Sequence, residues 1–197
     1  MLNKDVASAL LEIKAVTLSP TEPYTWASGL KSPIYCDNRI TMSYPKIRRL
    51  ISNGFVETIQ SNYPEVDYIV GTATAGIPQA CFVAELMDLP MAYVRPEPKA
   101  HGRSQQIEGF IPKGSKVIVI EDLISTGGSS IKAVAALEAE GIEVLAVLAI
   151  FTYELEKASL NFENANIKLN TLSDYSTLIE VAQASNQISE SEVSLLK

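Results

Sequence analysis

Residues 117–130, VIVIEDLISTGGSS, set two adjacent carboxylates, Glu121 and Asp122, just ahead of a run of small polar and glycine residues, Ser125, Thr126, Gly127, Gly128 and Ser129. Each half suits a different chemistry. Glycines let a backbone come close to a ligand. N–H groups at a helix start, at the positive end of its dipole, make a phosphate cradle. Carboxylates would repel a phosphate but accept hydrogen bonds from vicinal hydroxyls. Acids and cradle in succession fit a ligand with hydroxyls a few ångströms from a phosphate, which is the form of a ribose 5-phosphate. The pattern is neither the G-x-x-x-x-G-K-[ST] loop nor the dinucleotide G-x-G-x-x-G. The plain alternative is a strand-end turn whose acids serve only the helix dipole.

A second concentration of chemistry lies in RPEPKAHGRSQQIEGFIPKG, residues 95–114, which gathers Arg95, Lys99, His101 and Arg103 in an otherwise acidic chain. A polar Pro- and Gly-containing loop of about twenty residues within a compact domain is a lid, a binding loop or disordered. Arg103, taken alone, reads as a solvated surface residue. His101 is the single histidine, so a Ser-His-Asp triad would have to recruit it from this loop. Lys31, in SGLKSP, reads equally as an exposed turn lysine or as a ligand contact.

The elements that must position these residues follow from hydropathy. Val6, Leu10, Ile13 and Val16 have helical spacing, and so do Ile47, Ile51, Phe55 and Ile59, with Ser43 as an N-cap and Pro45 in the first turn. Between them, SPTEPYTWASGLKSPIYCDNR predicts irregular chain or a short hairpin. From about residue 67, strand-like and helical segments alternate. DYIVGTA precedes a helix from Gly76 to about Met87, and MAYVRP is a short strand. KVIVIED is a continuous apolar run ending on the acids, as for a strand covered on both faces. A helix follows with Ile131, Val134 and Ala135 on one face and Gly141 as its stop. EVLAVLAIFTY, a further helix and IKLNTL complete the alternation. The prediction is α/β: a central parallel sheet of about five strands with helices on both faces. Ligands bind such sheets at the carboxyl ends of the strands, where residues 121–129 fall.

Composition bounds the function. At 197 residues the chain suits one domain, and 47 % hydrophobic content with 20 % charge is ordinary for a globular protein. A net charge of −7 argues against a general nucleic-acid binder. The longest apolar stretch, around 144–151, is too short to cross a bilayer. Cys36 and Cys81 stand far apart without metal-ligand spacing and, with no signal peptide evident, are expected to be buried reduced thiols in a soluble, cytoplasmic protein.

VIVIEDLISTGGSS resembles the ribose-phosphate signature of the type I phosphoribosyltransferases, which use 5-phosphoribosyl 1-diphosphate (PRPP). YTWASGLKSPIYCDNR (24–39) and YVRPEPKAHGRSQQIEG (93–109) resemble the N-terminal and mobile-loop motifs of the orotate-using branch. The likeness spans nearly the whole chain and thins after about residue 160. It implies one type I phosphoribosyltransferase domain over 1–197, with 1–42 as a small N-terminal hood and 43–197 as the α/β core bearing a mobile loop at 95–109. It implies transfer of the phosphoribosyl group to orotate, giving orotidine 5′-monophosphate and diphosphate on the route to UMP. Mg²⁺ is the implied cofactor, held by the substrate's diphosphate and water rather than directly by protein side chains. A homodimer whose loop reaches the neighbouring site is implied too, with no nucleic-acid or membrane partner.

Carried onto this sequence, the resemblance assigns PRPP binding to Arg95, Lys99, His101, Glu121, Asp122, Leu123, Ile124, Ser125, Thr126, Gly127, Gly128 and Ser129. Lys99, His101 and Asp122 take the catalytic roles, and Ser125, Lys31, Tyr35 and Cys36 contact orotate. The chain departs from many relatives at Ala27, where they have lysine, and at Thr74-Ala75-Gly76, where they have Tyr-Lys-Gly. Pro96 stands where a second lysine is common, and Tyr153 where an arginine anchors orotate. Two alternatives stay open: a phosphoribosyltransferase for another nucleobase, and a PRPP-sensing regulatory protein of the same fold.

Overall fold

The computed structural model describes residues 1–25, 29, 31–97 and 106–196. The first helical pattern forms α1 (Leu2–Glu12), which buries Val6 and Leu10. The chain then turns at Lys14, with φ of 56°, so Val16 lies on a strand and not on the helix. Four short strands follow, β1 (Val16–Leu18), β2 (Tyr24–Thr25), β3 (Lys31–Ser32) and β4 (Ile34–Cys36), with β1–β4 and β2–β3 paired antiparallel. A 3-10 turn (Asn38–Ser43) leads into α2 (Pro45–Asn62). Ser43 ends that turn, so the N-cap of α2 falls to Tyr44 instead of Ser43; Pro45 opens the helix, where its missing N–H costs nothing.

The remaining elements are β5 (Tyr68–Thr72), α3 (Gly76–Met87), β6 (Met91–Val94), β7 (Ile107–Glu108), β8 (Lys116–Ile124), α4 (Gly128–Ala139), β9 (Glu143–Thr152), α5 (Glu156–Asn164), β10 (Leu169–Asp174), α6 (Tyr175–Ala184) and α7 (Glu190–Leu196). The central sheet runs β10-β9-β8-β5-β6-β7. Five of these strands are parallel, as the alternating pattern predicts, and the two-residue β7 adds an antiparallel edge. The chain steps from β5 outward to β6 and then returns to the other side of β5 as β8, so the strand order switches between β5 and β8. That switch opens a crevice at the carboxyl ends of these two strands.

Alternate side chains of β8 enter two separate cores, as a strand period of two requires. Ile118 and Ile120 pack with Leu10, Phe55, Val83 and Leu178, while Val117 and Val119 pack with Val134, Leu137 and Phe162. The buried face of α4 is Ser130, Ala133, Val134 and Leu137; Ala135 is exposed and Ile131 half-buried, contrary to the face predicted. Gly141 stops the helix at φ 76°, its N–H reaching the Glu138 carbonyl at 2.9 Å. Cys81 is exposed, because α3 buries Ala80, Val83 and Ala84 instead, and Cys36 is half-buried; both are free thiols. No described helix is long and apolar enough to cross a membrane.

Candidate active site

The acid pair does not end β8, as its apolar run suggests. The strand continues to Ile124, paired with β9 as far as Thr152, whereas its pairing with β5 stops at Ile120 and Gly71. The cause is β5, which turns away at residues 73–75 into α3. Gly76 permits the close approach: a Cβ there would collide with the Ile120 carbonyl oxygen and the Thr72 hydroxyl. Glu121 and Asp122 therefore occupy a stretch of β8 with one edge uncovered.

Glu121 is 6 % exposed. Its Oε2 accepts the Ser130 hydroxyl at 3.2 Å and its Oε1 accepts the Asp122 N–H at 3.0 Å. Burial, then the neighbouring Asp122 charge and carboxyl, push its pKa up to about 7. Asp122 is half-buried, and burial raises its pKa too, opposed first by the hydrogen bond from Glu121. Burial thus disfavours the charged form of both acids, with the neighbouring Asp122 adding to the effect at Glu121.

The cradle follows at once. Gly127 caps α4 in the left-handed region, φ 76°, and a Cβ there would collide with the Phe162 ring. Asn161 Nδ2 donates to the Thr126 carbonyl at 2.9 Å and ties the turn to α5. A Cβ on Gly128 would meet nothing nearer than Thr126 Oγ1 at 4.0 Å, so this position is open. Ser125 and Thr126 are half-buried, and Gly128 and Ser129 exposed.

A cleft of about 330 Å³ opens over the acids. Its walls are Cys36, Asp37 and Arg39 from the N-terminal segment, Ala73, Thr74 and Ala75 from the turn before α3, and Glu121, Asp122, Leu123 and Ser129. A second cleft of about 200 Å³ adjoins it at Ala73 and Ser129 and is lined by Arg95, Pro96 and Lys132. Arg95 is oriented from the loop base: Nη1 lies 3.5 Å from Glu108 Oε1, and its backbone N–H donates to the Gln106 carbonyl at 2.8 Å.

The structure thus brings together Arg95, Glu121, Asp122, Leu123, Ser129 and Cys36. Ile124 is 1 % exposed, its side chain in the core with Val134 and Phe162, so only its backbone is available to a ligand. Lys31 stands exposed on β3, outside the residues lining the cleft. Tyr35 is 48 % exposed, its ring 5.9 Å from that of Tyr24, whose hydroxyl donates to Thr17 at 3.0 Å. Tyr153 is buried, packs edge-on to Phe151 and hydrogen-bonds the Cys36 backbone. Lys99, His101, Arg103, Ala27 and most of the 95–109 loop lie outside the described residues.

Sequence reasoning missed Arg39, Asn38, Ser130 and Lys132. Arg39 carried a local signal in the D-x-R spacing: Asp37 accepts from its Nε at 2.7 Å and its Nη2 at 3.0 Å. Asn38 carried none, since its partner Asp122 lies 84 residues away, and Ser130, though inside the 117–130 stretch, has no local pattern that marks it as the donor to Glu121.

Residues 41–171 match the model of the phosphoribosyl transferase domain family. The chain is 61 % identical to orotate phosphoribosyltransferase of Streptococcus mutans serotype c, over all of this chain and 94 % of that one. It is 55 % identical to the enzyme of the same name from Lactococcus lactis subsp. cremoris, with the same coverage. Among solved structures, orotate phosphoribosyltransferase from Aeropyrum pernix superposes with a TM-score of 0.81 at 27 % identity, covering 93 % of this chain and 99 % of that one.

Proposed function

The chain belongs to the phosphoribosyl transferase family, and we infer from its cleft which residues carry the reaction. That reaction is transfer of the 5-phosphoribosyl group from PRPP to orotate, a step of pyrimidine biosynthesis. The observation that carries the reading is β8 itself, which bears the acids Glu121 and Asp122 on its uncovered edge and leads through residues 123–125 into the turn of Gly127 and Gly128 that starts α4.

Thr126, Gly127, Gly128 and Ser129 hold the 5-phosphate through backbone N–H groups and hydroxyls at the start of α4. Glu121 and Asp122 bind and orient the ribose hydroxyls. Breaking the C1–O bond develops oxocarbenium character on the sugar, and the Asp122 charge lies near it. Arg95, with Lys99 and His101 from the loop, faces the departing diphosphate, and the pyrimidine nitrogen is the nucleophile. Ser125, Tyr35 and Cys36 border the base, with Lys31 approaching from the hairpin. Loop closure excludes water, which would hydrolyse the activated sugar.

Among the described residues no group of three or more His, Cys, Asp or Glu side chains gathers where a metal ion could sit. The Asp122 carboxylate, a hard oxygen donor on the cleft wall, suits Mg²⁺ carried mainly on the diphosphate and water. When bound, Mg²⁺ would neutralise the diphosphate as it leaves. We take residues 1–42 as the hood, the assembly as a homodimer with shared loops, and the compartment as cytoplasm.

The test mixes purified protein with PRPP and Mg²⁺ and offers orotate, uracil, hypoxanthine or adenine separately, following base and diphosphate together. Turnover of orotate alone, lost in Asp122→Ala and without Mg²⁺, is the expected result. Turnover of another base only would overturn the substrate and leave the chemistry.

A further inference from the structure

Orotate is a flat pyrimidine bearing a carboxylate, so it arrives as an anion. The cleft it must enter is lined by three acidic residues, Asp37, Glu121 and Asp122, and Arg39 is the one cation among its described lining residues. Arg95 and Lys132 face the adjoining cleft, on the side away from the N-terminal segment. Lys31 lies outside the lining set. Tyr153, outside the residues lining this cleft, is neutral and already engaged with the Cys36 backbone.

Arg39 is built to meet a planar anion. Asp37 grips its Nε and Nη2 as a fork and fixes the plane of the guanidinium. Among the described residues that grip occupies only part of its five donors, and its side chain remains 62 % exposed. The exposed ring of Tyr35, braced by Tyr24 and four residues before Arg39, offers a face for a flat ring. Asn38, the next residue along, donates to the Asp122 carbonyl at 2.7 Å and so holds the Arg39 turn against the strand that binds the sugar.

We propose that Arg39 pairs with the carboxylate of orotate and sets the base specificity of this chain. The inference rests on the orotate reading above. It places the specificity-determining cation on the 3-10 turn of the N-terminal segment instead of the end of β9, where Tyr153 stands.

Steady-state kinetics of the wild type, Arg39→Gln and Arg39→Lys, with orotate and with uracil, test it. Arg39→Gln is expected to raise KM for orotate by about 10- to 100-fold, the worth of a charge-assisted hydrogen bond. KM for PRPP should stay within about twofold, and the preference for orotate over uracil should fall by the same factor as orotate KM rises. Arg39→Lys, which keeps the charge but not the fork, should recover part of the loss. It also carries the test if Arg39→Gln fails to fold. An unchanged orotate KM, or a parallel rise in the KM of both substrates, overturns the assignment of Arg39 alone. A wild type that ignores orotate while using another base overturns the orotate reading, and this proposal with it.

Discussion

The side-chain amide of Asn38 donates to the backbone carbonyl of Asp122 at 2.7 Å, across 84 residues of sequence. Asn38 is 1 % exposed, so the bond is shielded from water. It fastens the turn that carries Arg39 to the stretch of β8 that carries the acids, and so holds two walls of the cleft together.

Removing that bond should loosen both sides together. Asn38→Leu, close in volume, leaves the Asp122 carbonyl without its donor and is expected to cost about 1–3 kcal/mol of stability. With the turn displaced, kcat/KM for orotate should fall about tenfold or more, since placement of reacting groups is sensitive to small shifts. Urea denaturation with parallel kinetics checks both, and full activity in a destabilised variant would show that the tie serves only the fold.

Glu121 makes the stability of the ligand-free protein depend on pH. Its carboxyl is held at about 7 by burial, against an ordinary value of 4.5, so the folded state keeps this proton more tightly than the unfolded chain. The resulting stabilisation is whole below about pH 4.5 and is lost as pH rises through about 7. Glu121→Gln keeps hydrogen-bonding capacity without titrating, so its stability should fall less steeply than the wild type's across that window. Chemical denaturation of both proteins at several pH values decides it; parallel curves would refute the prediction.

The two cradle glycines should respond differently to alanine. Gly127→Ala meets both the positive φ and the Phe162 ring, and is expected to cost roughly 2–3 kcal/mol. Gly128 has no such neighbour, so Gly128→Ala should leave stability within about 0.5 kcal/mol. Given the proposed role of Gly128 in holding the 5-phosphate, however, the added methyl would crowd the ligand, and KM for PRPP should rise about tenfold, an effect of roughly 1.4 kcal/mol. Thermal melts and PRPP titrations of the two variants separate a folding role from a binding role.

Lys132 lines the second cleft beside Arg95 and is exposed. Its loss should act as the loss of a screened charge: Lys132→Ala is expected to raise KM for PRPP roughly two- to fivefold and to leave KM for orotate unchanged. The effect should shrink as salt is added. A change in orotate KM instead would place Lys132 on the wrong side of the site.

The sequence made the strand–helix alternation and the cradle legible, but several boundaries were not. The acids look like the end of β8 because polarity changes there, yet Leu123 and Ile124 remain in the strand through pairing with Phe151 and Thr152. Ala135 looks like a core residue because it is apolar, yet α4 turns Ala133, Val134 and Leu137 to the sheet and leaves it exposed. Arg39 stood inside a stretch already singled out, but nothing local says that this turn would lie against Asp122.

The division follows from the range of the forces involved. A continuous apolar run on β8, a helical stripe on α2 and a glycine at φ 76° are settled within a few neighbouring residues, so the chain alone determined a parallel α/β sheet with a glycine turn after one of its strands. The tertiary structure decided which edge of β8 stays open, because that depends on where β5 turns away. It also decided how strongly Glu121 holds its proton, because the shift arises from burial and from the Asp122 carboxyl brought against it. The position of Arg39 in the cleft was decided at the same level, by a hydrogen bond between residues far apart in the chain.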